Sequence, residues 1–211
     1  MHEILPGIHH WTAFRDTIRT RVSSYYVEPA GVLIDPLIPE AGLEALTALE
    51  PRPRQIVLSN RHHRRDSAAI ADALDCPIRT PAPGADEFAD EPRAQRYEFG
   101  DEVAPGLTAV EIGILAPDEA GLLISHGPGA IAFGDTLTRH AGAFGFVADE
   151  FLGDDPRAVK DGLRAAFRGL LARDFDALLF AHGDPVPSGG KAALRRFVEQ
   201  PVGQPDYGSA G

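Results

Sequence analysis

The chain has 211 residues, of which 44% are hydrophobic and 24% are charged, as expected for a folded globular protein. Its formal net charge is −11, and such an acidic surface repels the phosphates of nucleic acids and anionic membranes, so neither is an expected partner. The single cysteine, Cys76, excludes an internal disulfide, and the sequence lacks both a signal-peptide pattern and an apolar run of about eighteen residues, which predicts a cytoplasmic protein.

The first half of the chain alternates predicted strands with short helices. β-Branched and aromatic residues indicate the strands, and the sequence Glu-Pro-Ala-Gly at 28–31 predicts a turn between two of them. Asp66 precedes the second helix and is its predicted N-cap. The predicted strands cover 8–14, 21–27, 31–34 and 55–59, and the predicted helices cover 40–49 and 66–74.

The second half contains three closely spaced strands followed by a long helix, a strand and a final helix. The sequence His-Gly-Pro-Gly at 126–129 predicts a hairpin turn. Pro156 stands at the first helical position behind Asp155, and apolar residues then recur at helical spacing. The predicted strands cover 107–112, 121–125, 130–133 and 177–180, and the predicted helices cover 156–172 and 189–198.

The order of these elements predicts the fold class. Strands dominate each half of the chain and each half ends in helix, which favours two mixed β-sheets packed face to face with helices outside. No repeat or linker divides the chain, so we expect one α/β domain over residues 1–211 with a four-layer αβ/βα architecture. The tail from residue 201 is rich in Gly, Pro and Ser and is predicted to be frayed.

Four segments that follow predicted strands contain residues able to bind or orient a metal ion. They are Asp35 in GVLIDPL, the loop NRHHRRD at 60–66, Asp135 in FGDTL, and His182 in AHGDP. In this order and spacing they resemble the metallo-β-lactamase superfamily, and its hydroxyacylglutathione-hydrolase-like members in particular. The resemblance covers most of the chain and implies an αβ/βα sandwich with a metal pocket at its loop end.

The loop at 60–66 occupies the place of the superfamily's His-x-His-x-Asp-His motif but departs from that motif. In the preferred alignment, Asn60 takes the first His position and His62 the second, while Arg64 and Arg65 replace the Asp and the last His. Shifting by one residue would instead place His63 and Asp66 on ligand positions, but it would invert the faces of the preceding strand. A further superfamily histidine corresponds to Leu115 in this sequence.

The resemblance leaves His62, Asp135 and His182 as metal ligands. Arginine has no lone pair to offer a metal, and at about 5 Å and an effective dielectric of about 20 it disfavours a divalent ion by about 7 kcal/mol. We therefore expect at most one divalent ion per chain, which could be zinc, iron or manganese. In the alternative, the site holds no metal and Asp135 pairs with Arg64 or Arg65.

Two functions remain open on the sequence. The first is a metal-dependent hydrolase acting on a small ester or thioester with an anionic group, with Asn60, His63, Arg64 and Arg65 on the substrate side of the pocket. The second is a metal-free, non-catalytic descendant that binds a small anion through Arg64 and Arg65 at a helix N-terminus. The sequence assigns no catalytic residue and no oligomeric state.

Overall fold

The computed structural model describes residues 1–200, so the tail predicted to be frayed lies outside the described residues. The first half of the chain forms a seven-stranded sheet in the order β1-β2-β3-β4-β5-β6-β7. The strands β1 to β4 are antiparallel neighbours, and β4 to β7 are parallel. Their bounds are His2–Leu5, Ile8–Arg15, Thr20–Val27, Val32–Ile34, Gln55–Val57, Ile78–Pro81 and Ala94–Tyr97.

The second half forms a five-stranded sheet in the order β14-β11-β10-β9-β8, with a separate hairpin of β12 and β13. The strands β11 and β14 are parallel neighbours, and the other pairs in this sheet are antiparallel. The bounds of β8 to β14 are Glu102–Ala104, Leu107–Glu111, Ala120–Ile124, Ala130–Phe133, Thr138–His140, Ala143–Gly145 and Ala177–Phe180.

Within residues 1–200, four α-helices and three 3-10 turns connect or follow the strands. In α3, the Asp155 side chain accepts a hydrogen bond from the backbone N–H of Ala158 at 2.9 Å, and Pro156 begins the helix, as the sequence predicts. The helices α1 to α4 are Glu44–Thr47, Ser67–Leu74, Pro156–Leu170 and Gly190–Glu199, and the 3-10 turns are Arg61–Arg64, Ala82–Phe88 and Asp149–Phe151.

The two sheets pack against each other through alternating side chains. In β3, Tyr25 and Val27 belong to the core between the sheets, whereas Tyr26 faces the opposite side. In β14, Leu179 faces the core between the sheets and Phe180 faces the outside. This period of two divides the buried residues of each sheet between two cores.

The outer cores bury the helices. Ile70 and Leu74 of α2 pack on the outer face of the seven-stranded sheet. Leu163 of α3 and Leu194 of α4 pack on the outer face of the other sheet, together with Phe133. The layers are therefore helix, sheet, sheet and helix, which confirms the predicted fold class.

Hydrogen bonds join the two sheets at the end where the predicted site residues lie. The Tyr25 hydroxyl donates to the Phe180 carbonyl at 2.8 Å and accepts from the Phe180 N–H at 3.0 Å. Nearby, the Ser23 N–H donates to the carbonyl of Ala181 at 2.9 Å. The loops that follow β5, β11 and β14 therefore meet at one edge of the molecule. Within residues 1–200, no helix has the length and apolar content that crossing a membrane requires.

Candidate metal site

The loop after β5 turns into a 3-10 helix, and this decides which histidine faces the site. The Asn60 carbonyl and side chain both accept from the backbone N–H of His63, at 3.2 and 3.1 Å. The turn buries His63 and leaves His62 exposed. The prediction that His62, rather than His63, points toward Asp135 and His182 was therefore wrong. The alternation of β5 ends at Val57 and does not extend into the turn.

His63 is held between two carboxylates. Its Nδ1 lies 2.9 Å from Asp35 Oδ2 and 2.9 Å from the Ser59 hydroxyl, and its Nε2 lies 3.3 Å from Asp135 Oδ1. Burial and the charge of Arg65 act to lower the pKa of His63, but Asp135 and Asp35 outweigh them and raise it to about 9. Without metal, His63 is therefore protonated at neutral pH and balances the two acids.

Asp135 and His182 meet because they follow two parallel neighbouring strands, β11 and β14. Asp135 Oδ1 lies 3.0 Å from His182 Nε2. Burial acts to raise the pKa of Asp135, but His63 and His182 hold it well below its usual range. Burial also lowers the pKa of His182, against its contact with Asp135. One ligand atom from each of His63, Asp135 and His182 lies within 4.8 Å of the other two.

Asn60 connects Asp135 to a buried acid that the sequence analysis did not identify. Asn60 Nδ2 donates to Glu119 Oε2 at 2.6 Å and to Asp135 Oδ2 at 3.1 Å. Glu119 Oε1 accepts from the backbone N–H of Asp135 at 2.8 Å. Burial and the charge of Asp135 raise the pKa of Glu119 to about 8. Asn60 thus orients both carboxyl groups, and the substrate-side role predicted for it stays a proposal.

The two arginines of the loop take other partners than predicted. Arg64 pairs with Asp90 at 2.9 Å on the surface. Arg65 is largely buried, and its Nη1 donates to the backbone carbonyls of Ser23 at 2.8 Å and Asp35 at 2.5 Å. The predicted salt bridge from either arginine to Asp135 is therefore not formed. The two histidines and Asn60 contact that carboxylate instead.

Two residues of the site have backbone conformations that side chains rarely adopt. Asp35 has φ +45° and Arg65 has φ +43°. Such conformations persist only where the surrounding structure fixes them, and they are concentrated at functional sites. Asp35 is fixed by its own contacts, since its side chain accepts from the Ser59 N–H at 2.8 Å and from the Ser59 hydroxyl at 2.6 Å.

The cluster opens into a cavity of about 1110 Å³. His62 and Leu115 line this cavity together with the cluster. Leu115 was aligned with a superfamily histidine and offers an apolar side chain there. Glu119, four residues later, supplies the only carboxyl group of that segment that lines the cavity among the described residues.

The donor set fits a single divalent ion. Two imidazoles and one carboxylate are a recurrent set for zinc and for non-haem iron, with room for water. Ligands bound to zinc at about 2.0–2.1 Å in a tetrahedral arrangement lie roughly 3.3 Å apart, close to the spacing between Asp135 and the two histidines. The hydrogen bond from His63 Nδ1 to a carboxylate is the outer contact that metal-binding histidines usually make.

No protein-family profile and no curated protein matches the chain. Solved structures do match. A metallo-β-lactamase superfamily protein from Sulfolobus tokodaii aligns over 97% of this chain and 91% of its own, with a TM-score of 0.65 and 13% identity. The chain adopts the metallo-β-lactamase fold. A metallo-β-lactamase from Cronobacter sakazakii, mutated in its HARLDQ motif, aligns over 85% of this chain and 79% of its own, with a TM-score of 0.57 and 17% identity.

Some proteins with the metallo-β-lactamase fold have been solved with metal bound. One structure in a di-iron-bound form aligns over 88% of this chain and 92% of its own, with a TM-score of 0.58 and 19% identity. At these low identities, the structural matches establish the fold of the chain and nothing about its chemistry.

Proposed function

We propose that the protein is a hydrolase with the metallo-β-lactamase fold that uses one divalent metal ion to cleave a small ester or thioester. The observation that carries this proposal is the convergence of His63, Asp135 and His182 in a cavity open to a ligand. The proposed ligand set replaces His62 by His63. The proposal also assumes a reduced site, since Leu115 occupies a position at which the superfamily has histidine. Asp66, which the shifted alignment places on a ligand position, accepts from the Ile38 N–H at 2.8 Å instead.

The chain's own residues would orient the reaction. A divalent ion bound by the three ligands would supply a Lewis acid that activates water and polarises the acyl carbonyl. Asp35 and Ser59 fix the ring of His63, and Glu119 fixes the backbone of Asp135. Water adds to the acyl carbon, the bond to the leaving oxygen or sulfur breaks, and the water proton passes to the leaving group.

The electrostatics of the cavity support an anionic group on the substrate. Arg15, Arg61 and Arg65 line the cavity, against the acids Glu119 and Asp135. Arg61 is neutralised by a salt bridge to Asp118. The positive charge available to a ligand therefore comes from Arg15 and Arg65. Arg15 takes the anion-binding role that the sequence predicts for Arg64.

A second candidate is a metal-free domain that binds a small anion. The observation in its favour is that His63 contacts both Asp35 and Asp135, so that a proton on its ring would balance charge without a metal. In this case the histidine would remain protonated, and the cluster would bind no zinc at neutral pH. Metal content separates the two candidates.

The decisive experiment compares two adjacent histidines. Protein produced without a His-tag is loaded with zinc, dialysed, and measured by native mass spectrometry and by hydrolysis of short esters and thioesters. The wild type should retain one ion per chain and hydrolyse at least one ester class. His63→Ala should lose the ion and the activity, whereas His62→Ala should retain both.

Three results would contradict the proposal. A wild type without zinc at neutral pH would favour the metal-free candidate. Two tightly bound ions would refute the reduced site. Equal metal loss in His62→Ala and His63→Ala would show that the ligand set is wrong.

A further inference from the structure

The cavity that contains His63, Asp135 and His182 has two apolar walls. One wall is the β2–β3 turn with the start of β3, where Ile18 and Val22 line the cavity. The other wall is the segment after β13, which contributes Phe146, Val147 and Phe151. The polar cluster therefore lies in a space whose sides suit a hydrocarbon chain.

Some of the apolar residues that line the cavity are exposed to solvent. Among residues 1–200, the large hydrophobic side chains that are exposed are Met1, Phe14, Ile18, Ile114 and Phe151. Ile18 is 50% exposed and Phe151 is 68% exposed, and both line the cavity. Exposed apolar surface that rims a polar site is typical of a ligand-binding groove.

A positive charge without a protein counter-ion lies in the same cavity. Arg15 is half-buried, and its Nε donates to the Thr17 hydroxyl at 3.0 Å. Within the described part of the chain, Arg15 forms no salt bridge with a carboxylate, although the protein has a net charge of −11. Arg15 and Arg65 line the same cavity, so an anion bound there would offset the charge of both guanidinium groups.

We propose that the cavity takes an amphiphilic acyl ligand whose hydrocarbon chain lies between Ile18 and Phe151 and whose anionic group lies at Arg15. This inference rests on the proposed function in one respect: the ligand is a substrate only if an acyl ester or thioester is cleaved at His63, Asp135 and His182. Ile18 and Phe151 become residues that determine specificity for acyl length.

The size of the cavity supports a chain of several methylenes. Drug-sized ligands occupy pockets of roughly 300–1000 Å³, and this cavity measures about 1110 Å³. An acetyl group would leave most of the apolar wall in contact with water. Burial of each further methylene strengthens binding by about threefold to fourfold.

A binding experiment tests the chain-length dependence without requiring activity. Butyrate and octanoate, which carry the same carboxylate on chains of different length, are titrated calorimetrically into the protein as isolated. Octanoate should bind one site per chain at least about tenfold more tightly than butyrate, because four more methylenes are buried. Equal affinities would overturn the proposal.

Matched variants locate the chain and the anionic group. The double variant Ile18→Ser with Phe151→Ser should lose most of the tenfold preference, whereas Phe14→Ser removes an exposed apolar side chain of β2 outside the cavity and should retain it. Arg15→Gln should weaken octanoate about tenfold, and Arg19→Gln, on the same turn but outside the cavity lining, should not. Equal losses in a variant and its control would overturn the assignment.

Hydrolysis of p-nitrophenyl acetate, butyrate and octanoate then distinguishes the two proposals. A rise in kcat/KM with chain length that disappears in the double variant supports both. Chain-length-dependent binding without hydrolysis of any ester leaves the ligand class in place and refutes the hydrolase. Hydrolysis with no preference for longer chains, together with equal binding of the two acids, refutes the ligand class alone.

Discussion

Gly134, directly before the proposed ligand Asp135, has no room for a side chain. A Cβ atom there would lie 2.6 Å from the Ser59 hydroxyl and 2.7 Å from Glu119 Oε1. These two oxygens position His63 and Asp135 respectively, so neither can move away without disturbing a proposed ligand. A glycine is required here because any side chain would clash with these two oxygens and break their hydrogen bonds.

Gly134→Ala is therefore expected to lower the free energy of unfolding by about 2 kcal/mol, as overpacking of a buried site usually does, and to weaken zinc binding. Gly169→Ala is the matched control, because Gly169 is exposed in α3 with no atom near its Cβ position. Alanine there should stabilise the helix by up to about 1 kcal/mol. Urea denaturation measures both, and a stable, zinc-binding Gly134→Ala protein would contradict this account of the site.

The burial of His10 is expected to make the protein less stable in acid. The residue is 4% exposed, its Nε2 lies 2.9 Å from the Ser23 hydroxyl, and its Nδ1 has no hydrogen-bond partner among residues 1–200. Burial, helped by the charge of His2, lowers the pKa of His10 to about 4. In the unfolded chain its pKa is about 6.5, so between pH 6.5 and 4 the unfolded state binds more protons and stability falls as the pH falls.

The loss attributable to His10 is at most about 3 kcal/mol between pH 6.5 and 4. Urea midpoints of the wild type at pH 7.5 and 5 measure the total change, and His10→Phe should reduce it. His62→Gln, which alters an exposed histidine, should leave it unchanged. If His10→Phe retained the full acid sensitivity, the destabilising proton uptake would belong to other groups.

The residues that could be placed from the sequence are those directly after strands. Asp135 and His182 follow β11 and β14, and their meeting follows from the parallel pairing of these strands. His63 could not be placed, because Asn60 caps a 3-10 turn that ends the alternation of the strand. Glu119 gave no signal, since an acid in a loop is ordinarily solvated and only its backbone and Asn60 partners make it part of the site.

At the scale of elements, the hydroxyl of Tyr25 in β3 is one of the groups that join the two sheets. The buried Tyr25 hydroxyl satisfies both the N–H and the carbonyl of Phe180, two residues before His182. Tyr25→Phe leaves both backbone groups without this partner and should lower the free energy of unfolding by about 2–3 kcal/mol, while weakening zinc binding through displacement of His182.

Tyr26→Phe is the matched control for Tyr25→Phe. The Tyr26 hydroxyl donates to the carbonyl of Pro51, away from the site and in a partly exposed position. Its removal should lower the free energy of unfolding by about 1 kcal/mol and leave zinc affinity unchanged. Chemical denaturation and zinc titration measure the pair, and equal effects on zinc affinity would show that β3 does not position the site.

Most elements follow from local patterns. Alternation of buried residues predicts the central strands, and the N-cap and apolar stripe predict α3, whose end at Leu170 lies close to the expected 172. The edge strands β1 and β7 were not predicted, because His2–Leu5 is largely exposed and Ala94–Tyr97 is mostly polar. Edge strands bury too little on either face to leave a periodic pattern, and their pairing is decided by the neighbouring strand.

At the scale of the whole molecule, the proposed ligands come from both sheets. His63 follows β5 of the seven-stranded sheet, whereas Asp135 and His182 follow β11 and β14 of the five-stranded sheet. A metal ion bound by all three would therefore stabilise the contact between the sheets. Because the unfolded chain lacks this arrangement, binding is linked to the stability of the whole fold.

Zinc at about 100 times its Kd should stabilise the protein by about 2.7 kcal/mol. For a chain of this size, that corresponds to a rise in Tm of roughly 5–10 °C. Thermal unfolding of chelator-treated protein with and without zinc measures the rise, which His62→Ala should keep and His182→Ala should lose. An unchanged Tm in the wild type would mean that the site does not bind zinc across the two sheets.

The separation of the ligands along the chain also determines when the site can exist during synthesis. The first ligand is residue 63 and the last is residue 182, so more than half of the chain lies between them. When the ribosome has synthesised His63 and Asp135, β14 and His182 have still to be added. The third ligand is in place only once β14 pairs with β11. Metal binding by these three residues would therefore be a late event, possible only after the long-range contacts of the fold have formed.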